Sequence, residues 1–100
     1  MKYLVTAEQS IPIPRERAVA VWQAAQEWTK ARLADGTLDS HYVFPEGRGG
    51  LAIVNADSHE TLRRTLVGHP LYAYMDWEVT PLCDWGPAYD STIEFLQKMG

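Results

Sequence analysis

The stretch Gly68–Leu82, GHPLYAYMDWEVTPL, decides how this chain folds. Gly68 is a helix stop, His69-Pro70 is a turn, and the residues from Tyr72 or Tyr74 to Thr80 read as a strand. Side chains alternate along a strand, so Tyr74, Asp76 and Glu78 share one face and Met75, Trp77 and Val79 the other. The apolar trio needs a core, whereas the tyrosine and carboxylates face something wetter. The rest of the chain must therefore cover one side of this strand.

Immediately upstream, Asp57 or Ser58 caps a short helix, with Glu60 three residues after Asp57 in capping-box spacing. Leu62, Leu66 and Thr65 face inward from it. Before that helix, Leu38–Phe44 and Leu51–Asn55 read as strands joined by Pro45-Glu46-Gly47-Arg48-Gly49-Gly50, a β-hairpin. A glycine loop that cradles phosphate would instead be followed by a helix N-terminus. Residues from Pro14 to about Ala34 form the long helix, with Ala18, Val21, Trp22, Ala25 and Trp28 on one face and Gly36 as its stop. Lys2–Gln9 is the first strand: Tyr3, Val5 and Ala7 on one face, Leu4, Thr6 and Glu8 on the other.

The order is β-α-β-β-α-β, the ferredoxin-like α+β arrangement. Residues 1–83 form that domain, and residues 84–100 form a C-terminal extension with Tyr89, Ile93, Leu96 and Met99 on one side. Two helices cover one face of a single sheet and leave the other bare and partly apolar. A second copy is the simplest cover, so the pattern predicts a homodimer or higher homo-oligomer, with the extension reaching onto a partner subunit.

Composition bounds the function. The chain has 100 residues and a net charge of -4, which disfavours nucleic acid as a partner because phosphate neutralisation needs clustered cations. A single cysteine, Cys83, allows no internal disulfide and no paired-cysteine metal site, and it has no histidine partner at fixed spacing. No apolar run is long enough to span a membrane and the N-terminus lacks a signal-peptide pattern, so the expected location is cytoplasmic, with no membrane partner. Four tryptophans and five tyrosines in so short a chain point to an aromatic pocket or an aromatic subunit interface.

From Gly36-Thr37 to Leu82-Cys83 the residues resemble the muconolactone isomerase family, small ferredoxin-like enzymes of catechol breakdown. PLYAYMDWEVTPLC, Pro70–Cys83, is similar to that family's Pro-Leu-Phe-Pro-Tyr-Met-Asp-Ile-Glu-Val stretch. The resemblance implies a dimeric α+β barrel, assembly beyond the dimer, and cofactor-independent isomerisation of an unsaturated lactone. Such chemistry moves a proton between carbons near a carbonyl, and needs a general base and a donor for the developing enolate. The family's first-strand lysine falls on Thr6 and its helix carboxylate falls near Gln26, beside Glu27. Its polar third-strand positions become Gly50 and Ala52. These departures imply a roomier, more apolar cavity and a larger, polyketide- or terpenoid-like substrate of secondary metabolism.

The candidate catalytic residues are His41, Tyr42, Asp76 and Glu8. His41 is the best base by type, because imidazole titrates near neutrality, and Tyr42 could donate to an oxyanion. Glu8 shares a strand face with Thr6 and Leu4, and in an apolar cavity its carboxyl would be tuned for acid-base work. Against these stand plain structural roles: an exposed strand histidine, or an aspartate pairing with an arginine across a dimer. Candidate substrate-binding residues are Tyr74, Tyr72, Thr6, Trp85 and His69, the last also able to cap helix carbonyls. Trp22 and Trp28 read as helix-to-sheet core and His59 as surface. The expected function is a cofactor-independent isomerase or cyclase of a carbonyl-bearing small molecule. The alternatives are a cofactor-free monooxygenase of an aromatic substrate and a non-catalytic ligand-binding relative.

Overall fold

The computed structural model describes residues 1–100, in the order β1 (Lys2–Gln9), α1 (Arg15–Ala34), β2 (Leu38–Val43), β3 (Gly49–Asn55), α2 (His59–Val67), β4 (Met75–Leu82) and α3 (Trp85–Met99). The four strands pair antiparallel in the order β2-β3-β1-β4. This is the expected ferredoxin-like α+β fold. The two central strands carry the most buried side chains, Tyr3 of β1 and Val54 of β3 at 1% exposure, with Val5 of β1 at 3%. Around them pack Leu38 and Ala56, closed over by Leu62 and Leu66 one turn apart on α2.

Local chemistry sets the element ends. Ser58, not Asp57, caps α2: its Oγ accepts from the Thr61 backbone N–H at 3.1 Å. The box expected between Asp57 and Glu60 therefore gives way to a cap one residue later. After α1 the chain turns at Gly36, whose φ of +84° is open to glycine without strain. The hairpin closes through Gly47 N–H to Phe44 O at 2.9 Å and Phe44 N–H to Gly49 O at 2.8 Å. Strand β3 begins at Gly49, two residues earlier than the sequence pattern suggests. A Cβ there would lie 1.9 Å from Ala7 O, and one at Gly50 would lie 2.4 Å from Tyr42 O. Glycine lets the neighbouring backbones close in on both sides of β3.

Two departures from simple alternation matter for the site. First, Tyr72–Tyr74 is a short 3-10 turn, so β4 starts at Met75 and Tyr74 is not part of its alternating face. The turn satisfies the backbone locally: Tyr72 N–H donates to His69 O and Tyr74 N–H to Leu71 O, each at 3.0 Å. Second, β2 carries a bulge between Leu38 and Ser40, so that Leu38 pairs with Val54 while Ser40 pairs with Ile53. The extra residue, Asp39, is held by Lys2 and by Asn55 Nδ2, the latter at 2.6 Å. A bulge reverses the parity of everything beyond it. His41 thereby pairs with Ala52 and shares the helix-covered face with Leu38.

The other face of the sheet has no helix. Cross-strand pairing gathers Leu4, Ile53 and Thr80 there, then Thr6, Leu51 and Glu78, then Glu8 and Asp76. The last helix, α3, is four residues longer at its start than the expected Tyr89–Met99 stretch. It extends away from the body, giving overall dimensions of 64 × 27 × 23 Å, with Trp85, Tyr89, Ile93 and Leu96 exposed.

Candidate active site

Helix α1 meets the sheet chiefly at β2. Over β1 and β3 the small side chains of Ala7, Gly50 and Ala52 leave space beneath it, and a cavity of about 730 Å³ results. Its roof is the α1 face bearing Trp22, Gln26 and Trp28; Met75 and Trp77 of β4 wall one side. Gly50 and Ala52, the two positions where the family's third strand is polar, lie on its floor. Gln26, near which the family's helix carboxylate falls, presents an uncharged amide to it. This volume suits a drug-sized ligand.

Two histidines open into this apolar space from different elements, and their hydrogen bonds assign them different roles. His69 follows the C-cap of α2 and is packed between indoles, with ring centroids 4.5 Å from Trp28 and 5.4 Å from Trp77. Trp77 is itself held by its Nε1–H, which donates to Tyr72 O at 3.1 Å, and by the stacked Tyr72 ring. The Leu71 backbone N–H donates to His69 Nδ1 at 3.0 Å. Nδ1 is therefore the acceptor, and the neutral ring carries its proton on Nε2. Burial, aided by the charge of His41, pushes His69 down to about 4 from the ordinary 6.5, so it stays neutral at physiological pH.

His41 is the complement. Its Nδ1 lies 3.1 Å from Leu51 O, and a carbonyl can only accept. Nδ1 is thus the donor, and in the neutral ring Nε2 is a free lone pair. One imidazole offers an N–H and the other a lone pair to the same cavity. That is the minimum kit for removing a proton next to a carbonyl and steadying the resulting oxyanion.

The remaining candidates lie elsewhere. Tyr42, 68% exposed, alternates away from His41 onto the helix-free face. Glu8 and Asp76 are direct cross-strand partners on that face, and Thr6 sits opposite Glu78. Tyr74 is half-buried in the 3-10 turn, where its carbonyl accepts from Ser10 and Ile11 N–H at 2.9 and 3.3 Å. Tyr72 supports Trp77 and borders a second, smaller hollow of about 390 Å³ with His59 and Leu62. Trp85 is 74% exposed on α3, 5.7 Å from the Tyr89 ring. No three His, Cys, Asp or Glu residues come together to hold a metal ion.

Trp22, Trp28 and Trp77 carry a role that periodicity did not reveal. Their stripe reads equally as filled core or as the wall of a hollow. The available signal was the mismatch between large indoles on one side and Gly50, Ala52 and Ala7 opposite.

Comparison with known proteins agrees with this architecture. Among solved structures, the crystal structure of muconolactone isomerase superposes with a TM-score of 0.76 at 24% identity, covering 84% of this chain and 90% of that one. This likeness is one of fold. None of the curated proteins compared with the chain matches it. The family model described as muconolactone delta-isomerase matches residues 1–87, the whole ferredoxin-like unit and the start of α3. The chain therefore belongs to the muconolactone delta-isomerase family.

Proposed function

We propose that this protein is a cofactor-independent isomerase or cyclase that moves a proton within a hydrophobic, carbonyl-bearing small molecule. The single observation that carries this reading is the pair of opposite tautomers, His41 and His69, in one apolar cavity. His69 Nε2–H donates to the substrate carbonyl oxygen, which lowers the cost of removing a neighbouring proton. His41 Nε2 accepts that proton and returns it to a second carbon, so the double bond migrates with no net change in protons. Trp28 and Trp77 fix the His69 ring and exclude water, which strengthens the donor. The floor of Gly50 and Ala52 leaves room for a larger, polyketide-like skeleton.

Glu8, Thr6, Tyr42 and Asp76 belong in this reading to the contact between subunits. Their face of the sheet, with Leu4, Leu51 and Ile53, is covered by a second copy. Residues 84–100, with Trp85, pack on that partner and not on their own body.

Turnover in heavy water tests the chemistry: solvent deuterium should appear in the product. Product forming with no deuterium at any carbon overturns proton-shuttle isomerisation. Dependence of turnover on dissolved oxygen would replace it with the cofactor-free monooxygenase. For the assembly, a stable monomer in sedimentation at micromolar concentration overturns the proposed dimer.

A further inference from the structure

Of the 24 residues lining the cavity, 15 are hydrophobic, and Lys30, His41 and His69 alone among them have titratable side chains. Lys30 is turned toward Glu27, at 3.4 Å, with 65% of its side chain exposed. His69 has committed Nδ1 as an acceptor to the Leu71 N–H, leaving a single neutral N–H donor. His41 spends its Nδ1–H on Leu51 O. Gln26 adds an amide. The site can thus hydrogen-bond a ligand, but it holds no cation aimed inward to neutralise an anion and no carboxylate to neutralise a cation.

Burying a charge without a partner is far costlier than burying a hydrogen-bonded neutral group. From this inventory we infer that the cavity selects uncharged, carboxylate-free molecules and rejects the carboxylic acids of the same skeleton. The inference rests on the proposal that this cavity is the substrate site. It goes further by stating which charge class enters.

A matched pair of probes tests it: 2-acetylnaphthalene, an uncharged ketone, and 2-naphthoate, the same ring system with a carboxylate. Both are titrated at pH 8 against Trp85→Phe protein, so that the fluorescence comes from Trp22, Trp28 and Trp77 around the cavity. The ketone should bind at least about tenfold more tightly than the acid. Gln26→Lys, at an exposed helix position whose side chain borders the cavity, should narrow or reverse that preference. Equal or tighter binding of naphthoate, an unmoved preference in Gln26→Lys, or binding of neither probe overturns the inference. These readouts do not require turnover. Tight ketone binding alongside product that carries no solvent deuterium sinks the isomerase reading alone; deuterium entering a preferred acid substrate sinks this one alone.

Discussion

The two faces of the sheet are built from the same four strands yet do opposite things. On the helix-covered face, Ala7, Gly50 and Ala52 are too small to meet the indoles of α1 and β4, and the result is a largely apolar hollow bordered by two imidazoles, the buried His69 and the exposed His41. On the helix-free face, half-buried Leu4, Leu51 and Ile53 sit among the carboxylates Glu8, Asp76 and Glu78, with no helix of this chain above them. The contrast teaches where titratable groups become chemically useful. His69 is pushed down to about 4 because it is buried.

The largest expected effect separates the faces. His41→Ala should lower the turnover rate by about 10²–10⁴-fold, the range for a lost general base, measured on any substrate that exchanges solvent deuterium. Glu8→Gln and Asp76→Asn should change the rate by less than about threefold, because neither side chain borders the cavity. If those two variants are as damaged as His41→Ala, the site has been assigned to the wrong face.

Next comes the bulge. Asp39→Ala removes the side chain that Lys2 and Asn55 hold, and so loosens the register that turns His41 inward. About a tenfold loss of rate with KM little changed is expected, the scale of a misplaced catalytic group. Hydrogen exchange at Ser40 and His41 should accelerate in parallel.

A third variant acts on stability. Gly49→Ala would place a Cβ 1.9 Å from Ala7 O, so β1 and β3 must move apart. A loss of about 1–3 kcal/mol in urea unfolding is expected, comparable to overpacking elsewhere. Ser58→Ala, which removes the cap on α2, should cost about 1 kcal/mol by the same measurement.

The most diagnostic effect is in pH. His69 has a folded value near 4 against an ordinary 6.5, so between those limits the unfolded chain takes up a proton that the folded chain refuses. The contribution is therefore full above pH 6.5 and is lost as pH falls toward 4. Unfolding midpoints should fall through that window in the parent protein, and His69→Gln should flatten the slope there. An unchanged slope would mean that His69 is not desolvated in the fold.

Much of this architecture was legible from local pattern. Alternation in Met75, Asp76, Trp77, Glu78 and Val79 placed Trp77 inward, and the 3.6-residue period placed Ala25 and Trp28 on the inner face of α1. Gly36 and Gly68 marked helix ends, and the glycine-rich link marked the hairpin. These features are readable because each depends on a few neighbouring residues. The site was less legible. His41 and His69 stood among the candidates, but so did Glu8, Thr6, Tyr42 and Asp76, which the register puts on the opposite face. Tyr74 lost its place in β4 to a 3-10 turn, because backbone bonds from His69 to Tyr74 close more tightly than an extended start would allow.

The sequence by itself determined the element order, the helix stops and which faces of β1 and β4 are apolar, since propensity and periodicity act over a few residues. Only the tertiary structure decided that the apolar side is hollow and that His41 looks into it. Hollowness depends on how far α1 stands from β1 and β3. His41's direction depends on a bulge at Asp39, whose carboxylate is held by Lys2 and Asn55, both distant in sequence. The opposite tautomers of His41 and His69 come from Leu51 O and Leu71 N–H, groups every peptide carries, so only their placement in space makes them informative.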